Sequence, residues 1–231
     1  MAELEQKGTE RGRKMYVQHG MPPDRVFGVS VADLKVIMKS IKGNQVLAYE
    51  LYATHNVDAM YLAGMIADGS KMSPELLDQW AVGAIGAPMI AEYPVPWVTV
   101  ENSKATEIAR KWIGADEDQV QSSGWCTFAG LATTKADGQL NLSEIEDLLK
   151  MVAKEINTKP NRAKLTMNGF VIAVGACVTP LHQVAMATAD EIGAISVDMG
   201  GTACKVRLAS EAIQKAESAG QVGKKRKTIR C

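Results

Sequence analysis

Apolar residues return every third or fourth position along almost the whole chain, which is the step of an amphipathic helix. In VSVADLKVIMKSI, the residues Val31, Leu34, Ile37, Met38 and Ile41 share one face. QVLAYELYATH, DAMYLAGMIADGS, MSPELLDQWAVGAI, KATEIARKWIGADED and QVQSSGWCTFAGLATT repeat the step. NLSEIEDLLKMVAKEI, NRAKLTMNGFVIAVGACV, PLHQVAMATADEIGAI and ASEAIQKAESAG carry it to the end of the patterned region. The punctuation agrees. Ser30 or Ser40 is placed to cap a helix start, Ser73 precedes Pro74 at a first helical position, and Gly220 closes the last helix. No alternating run suggests a strand longer than a few residues. AISVDMG reads as a short extended piece. GAPMIAEYPVPWV is ambiguous, because Pro88, Pro94 and Pro96 cannot all lie inside one helix.

Helix pairs recur at roughly 35–45 residues, the HEAT/armadillo period. They run from Ser30 to Thr54, Asp58 to Ile85, Ser103 to Thr133 and Leu142 to Val178. The expected class is therefore all-α, an α-solenoid of HEAT-like helical repeats in which each pair buries its apolar face on the next. A compact helical bundle would have the same composition. One repeat domain is expected over residues 1–220, followed by a basic tail over 221–231.

Charge changes this picture in one place. The 26 basic and 26 acidic residues cancel in total but not in position. From Lys205 onward the chain carries eight basic residues against two acidic ones, and it ends in GKKRKTIRC. Such an asymmetry points to a polyanion as partner. Cys126 and Cys177 sit in apolar runs, and no CxxC pair or His ligand spacing occurs, so neither a disulfide framework nor a metal is expected. The charged start has no apolar leader core, and no run reaches the length that spans a bilayer; a cytoplasmic location with no membrane partner is expected. VDMGGTACK has the wrong Gly-to-Lys spacing for a phosphate loop and reads as a turn on Gly200 and Gly201.

Several stretches, read in order, resemble the AlkD-like family of DNA alkylation repair glycosylases. They are FGVSVADLKVIMKSIKG, LYATHNVDAMYLAGMIAD, RKWIGADEDQVQSSGWCTFAGLA, RAKLTMNGFVIAVGACV and VDMGGTACKVRLASEAIQK, with the closing GKKRKTIRC. The resemblance implies a HEAT-like solenoid with a concave basic face for double-stranded alkylated DNA. It implies hydrolysis of the N-glycosidic bond of cationic N3- or N7-alkylpurines, with no cofactor. A carboxylate beside the sugar stabilises the developing oxocarbenium charge, and aromatic faces add cation–π attraction. Active members carry Trp-Trp-Asp-x-x-Asp where this chain reads AVGAIGAPMIAEYPVPW, and Glu92 falls near the place of the catalytic carboxylate. Tyr93 and Trp97 offer nearby aromatic surfaces, and Phe170 stands in a late Gly-Trp pair of the family, here Gly169-Phe170. The family's middle-repeat Arg falls at Gln121-Ser122, and its Glu-x-Arg reads Asp58-Ala59-Met60. Trp80, Trp112 and Trp125 lie at core spacing, and packing is the other reading of Tyr93, Trp97 and Phe170. DNA contacts are expected from Lys159, Arg162, Lys164, Lys205, Arg207, Lys224, Lys225, Arg226 and Lys227. The alternative is a non-enzymatic scaffold for DNA or a protein partner. It is favoured if Glu92 and the aromatic rings are buried or face outward.

Overall fold

The structure, a computed structural model, describes residues 1–230. The last residue of the expected tail, Cys231, lies outside the described residues. Among those residues all regular structure is helical, and the chain forms two compact units. The first comprises residues 1–108, 199–203 and Arg230; the second comprises 109–198 and 204–229.

The first unit holds α1 (Ala2–Lys7), α2 (Glu10–Gln18), α3 (Val31–Ile41), α4 (Gln45–Ala53), α5 (Val57–Ile66), α6 (Pro74–Gly83), α7 (Pro88–Glu92) and α8 (Pro94–Glu101). The helices α1 and α2 belong to a charged segment with little apolar periodicity, so the sequence pattern passes over them. The starts of α2 to α6 obey capping rules: Thr9, Ser30, Asn44, Asn56 and Ser73 each accept a backbone N–H from the first turn of the helix they precede. Helix α5 is buried all round and packs on α3, α4, α7 and α8. That explains its uniformly apolar sequence, which no amphipathic surface helix would have. Gly64 on α5 lets it come close to α8, since a Cβ there would stand 2.5 Å from Pro94 Cβ.

Helix α9 (Ala105–Ile113) begins in the first unit and ends in the second. The second unit continues with α10 (Asp118–Thr134), α11 (Leu142–Glu155), α12 (Asn161–Cys177), α13 (His182–Ile192) and α14 (Ala209–Ser218). Here each helix packs on the one two places ahead: α10 on α12, α12 on α14, and α11 on α13. This is the contact pattern of stacked helix pairs. Helices α10 and α12 run parallel. Asp118 at the start of α10 binds the first turn of α12, while Trp125 meets Phe170 seven residues further along both helices. No single helix among the described residues is long and apolar enough to cross a membrane; α12 and α13 pass that test only together, across a 114° bend.

Candidate functional site

The proline-rich stretch between α6 and α8 resolves simply. Pro88 and Pro94 each take the first helical position, where a missing N–H costs nothing. Tyr93 lies between the two helices with φ −122° and ψ −78°. Proline at 94 disfavours helical backbone at the residue before it, so the chain breaks there. The break leaves Glu92 half-buried and Tyr93 46% exposed, side by side at the surface of the first unit. Trp97, one turn into α8, is 3% exposed and packs edge-on against Tyr61 with ring centroids 5.1 Å apart. It offers no open face and packs as a core ring.

Asp58, at the family's Glu-x-Arg position, is fully buried and serves the fold. Its carboxylate accepts the backbone N–H groups of Phe27 (2.6 Å), Gly28 (3.3 Å) and Val29 (2.7 Å). Burial pushes this carboxyl above the usual range, and the three N–H donors oppose that shift.

In the second unit Phe170 is 0% exposed, enclosed by Trp125 at 5.4 Å and Phe128 at 6.2 Å between ring centroids. The ring therefore has no face at the surface of the unit. Gln121 and Ser122, which stand where the resemblance has a cation, are buried and turned back to their own chain. Gln121 Nε2 donates to Ala115 O (2.7 Å) and Ser122 Oγ to Asp118 O (2.8 Å). Gln121 Oε1 and Trp125 Nε1 are buried without a hydrogen-bond partner.

The expected DNA-contact cations fall into three sets. Lys159, Arg162 and Lys164 are half-buried around the start of α12, with Lys159 paired to Glu155 at 2.9 Å. The N–H groups at that helix start already belong to Asp118, which accepts from Arg162 N (2.9 Å) and Ala163 N (2.7 Å). Lys205 and Arg207 are exposed on the segment leading to α14, whose backbone is held by Asn168 Nδ2 donating to Arg207 O (3.0 Å). Ahead of them Gly200, with φ +63°, makes the expected turn, followed by irregular chain rather than directly by a helix.

The tail is the third set, and it is docked rather than loose. Gly223 N donates to Ala176 O (3.0 Å) at the end of α12, and Arg226 N to Thr133 O (2.8 Å) at the end of α10. Lys225 Nζ binds Ala132 O (2.8 Å) and the Asp137 carboxylate (2.7 Å). In the first unit, Arg230 grips both carboxylate oxygens of Glu101 and donates to Gly64 O, Met65 O and Ala67 O at the end of α5. Sequence reasoning missed Asp118, Asp137 and Glu101 as partners. Their contacts span 44, 88 and 129 residues, and no local pattern announces them.

The family model described as "DNA alkylation repair enzyme" matches residues 1–210. Two curated relatives are uncharacterized proteins of Listeria. Lmo0209 of Listeria monocytogenes is 30% identical over 208 residues, covering 89% of this chain and 90% of the relative. Lin0241 of Listeria innocua is 29% identical over the same shares. A solved structure that is 40% identical aligns over 100% of this chain and 97% of its own, with a TM-score of 0.91. It is described as a new family of proteins related to the HEAT-like repeat DNA glycosylases, with affinity for branched DNA structures. The all-α HEAT-like repeat class expected from the helix period is thus the observed one.

Proposed function

This chain belongs to the DNA alkylation repair enzyme family, and we propose that it is a DNA-binding member directed to branched DNA rather than a glycosylase of cationic alkylpurines. One observation carries the reading: Phe170, the ring that would face a damaged base, is wholly enclosed by Trp125 and Phe128. An aromatic face acts on a cationic base only where the two can meet. The burial of Trp97 and the uncharged Gln121 remove two further parts of the expected chemistry. The 40% identical neighbour with affinity for branched DNA supports the choice of partner. In this reading Lys159, Arg162, Lys164, Lys205, Arg207 and the exposed tail cations Lys224, Arg226 and Lys227 meet phosphates, and affinity falls steeply with salt.

A second reading stays alive at one place. Glu92 and Tyr93 remain accessible side by side, a carboxylate and an aromatic ring. One experiment separates the two. The wild type and Glu92→Gln are incubated with duplex DNA carrying N7-methylguanine, and released base is measured. In parallel, gel shifts compare a four-way junction with linear duplex over a salt series. The expected result is no release, with junction bound more tightly than duplex. Release that Glu92→Gln abolishes would overturn the binding reading and restore hydrolysis. Neither release nor binding would direct attention to a protein partner.

A further inference from the structure

Within the second unit the basic tail separates into two kinds of cation. Lys225 is the anchor: its side chain is 19% exposed and closes on Asp137, whose other oxygen accepts Thr179 N at 3.2 Å. Gly223 makes the entry, with φ +80° and room for no side chain, since a Cβ would stand 2.3 Å from Thr179 Oγ1. Lys224, Arg226 and Lys227 are the outer kind. All three are exposed, and their side chains have no ion pair among the described residues.

The place where this strap lies matters as much as its charge. It crosses the C-terminal ends of the parallel helices α10 and α12, where unpaired carbonyls concentrate negative partial charge. Bare, that end repels phosphate. With Gly223 N, Lys225 Nζ and Arg226 N on the carbonyls of Ala176, Ala132 and Thr133, and with Asp137 neutralised by Lys225, the sign is reversed. Lys135, exposed at the end of α10, adds a fourth cation beside them.

We propose that residues 223–227 form a preassembled contact for the DNA phosphate backbone, in which Lys224, Arg226 and Lys227 meet phosphates and Lys225, held by Asp137, is the positioning residue. This rests on the DNA-binding reading above and goes beyond it: the tail is a rigid site rather than a loose polycation. A free arm must be ordered on binding, at about 1–2 kcal/mol per residue of backbone. A strap already fixed at three points avoids that loss.

The test turns on a sign. Asp137→Asn makes the protein more positive, so a loose arm would bind a four-way junction as tightly or more tightly. A clasped site binds it more weakly, because its anchor is gone. Gly223→Ala leaves the charge unchanged and is expected to weaken binding in the same direction; a loose arm would not notice it. Replacing Lys224, Arg226 and Lys227 together by Gln is expected to lower the slope of log affinity against log salt by up to about 2.7, at about 0.9 per phosphate contact. An unchanged slope overturns the contact. Brief trypsin treatment checks the clasp without DNA. The wild-type tail should survive under conditions that clip Asp137→Asn, and equal cutting of both refutes the anchor. If the wild type binds no DNA of any shape, the DNA reading itself has failed. Elution of the same variants from heparin then decides whether the three cations still form a polyanion site. Earlier elution of the triple variant retains it, and unchanged elution sinks it.

Discussion

The ring of Phe170 lies 5.4 Å from that of Trp125, tilted by 53°, with Phe128 closing the far side at 6.2 Å. The three rings lock α10 to α12 along their parallel contact. They leave the Phe170 ring no open face, so the side chain serves the packing of the second unit. Phe170→Ala is expected to cost about 3–5 kcal/mol, as for other buried rings cut to alanine, and to lower the thermal unfolding midpoint sharply. Phe170→Leu, which keeps most of the volume, should cost markedly less. A ring that served only a ligand would show neither loss, and calorimetry on the free protein distinguishes the two.

Asp118 ties the same helices together at their other end. Its carboxylate accepts the N–H groups of Arg162 and Ala163, which no earlier turn of α12 can satisfy. Hydrogen bonds to a charged acceptor contribute about 1.5–3 kcal/mol, so Asp118→Ala should destabilise by that amount in urea unfolding. Junction affinity measured well below the midpoint should change little, because the exposed cations stay where they are. A large loss of affinity with unchanged stability would show that Asp118 acts on the partner instead.

How far the sequence revealed all this depends on the range of each interaction. Helix class, most helix positions and the caps at Ser30 and Ser73 follow from patterns within a few residues, and the structure bears them out. The break at Tyr93 follows from Pro94 in the same local way. Burial of Trp97 and Phe170 was one of two readings the sequence left open, because an aromatic at helical spacing looks the same whether it lines a site or fills a core; only the neighbours Tyr61, Trp125 and Phe128 decide. The tail was read as basic, correctly in charge, but its docking depends on Asp137 and Glu101 far back in the chain. Local composition carries no record of such pairings.

Tyr16 supplies a pH test of the first unit. Its hydroxyl donates to Val29 O at 2.6 Å. Burial, and then the nearby Asp58 charge, push its pKa from 10.0 up to about 12. The folded chain therefore holds this proton to higher pH than the unfolded chain does. The resulting stabilisation is complete below the unfolded value of 10.0 and is lost as pH rises through the folded value of about 12. Urea unfolding of the wild type should thus show stability falling across this alkaline window. Tyr16→Phe should lose that contribution to the slope, along with about 1 kcal/mol at neutral pH for the missing hydrogen bond. Equal alkaline slopes in the two proteins would show that Tyr16 titrates normally.

Arg230 is saturated in a way that lysine cannot copy. Its guanidinium meets Glu101 through Nε (3.0 Å) and an Nη (2.5 Å), and the two Nη groups reach Gly64 O, Met65 O and Ala67 O at 2.8, 3.2 and 2.8 Å. Those carbonyls are the open end of α5, the most enclosed helix of the first unit. A planar fork fits the carboxylate and the helix end together, whereas an ammonium on a flexible stem serves one or the other. Glu101 also accepts Gly69 N at 2.9 Å, so losing the arginine leaves that carboxylate held from one side only. Breaking a buried pair typically costs 3–5 kcal/mol, and the partial exposure of Glu101 reduces this to about 2 kcal/mol. Arg230→Met and Arg230→Lys should both lower the unfolding midpoint, with Lys recovering less than half of the loss, and added salt should narrow the gap to wild type only slightly. Full recovery by lysine would mean that position 230 supplies charge alone and that the fork on α5 contributes nothing to the fold.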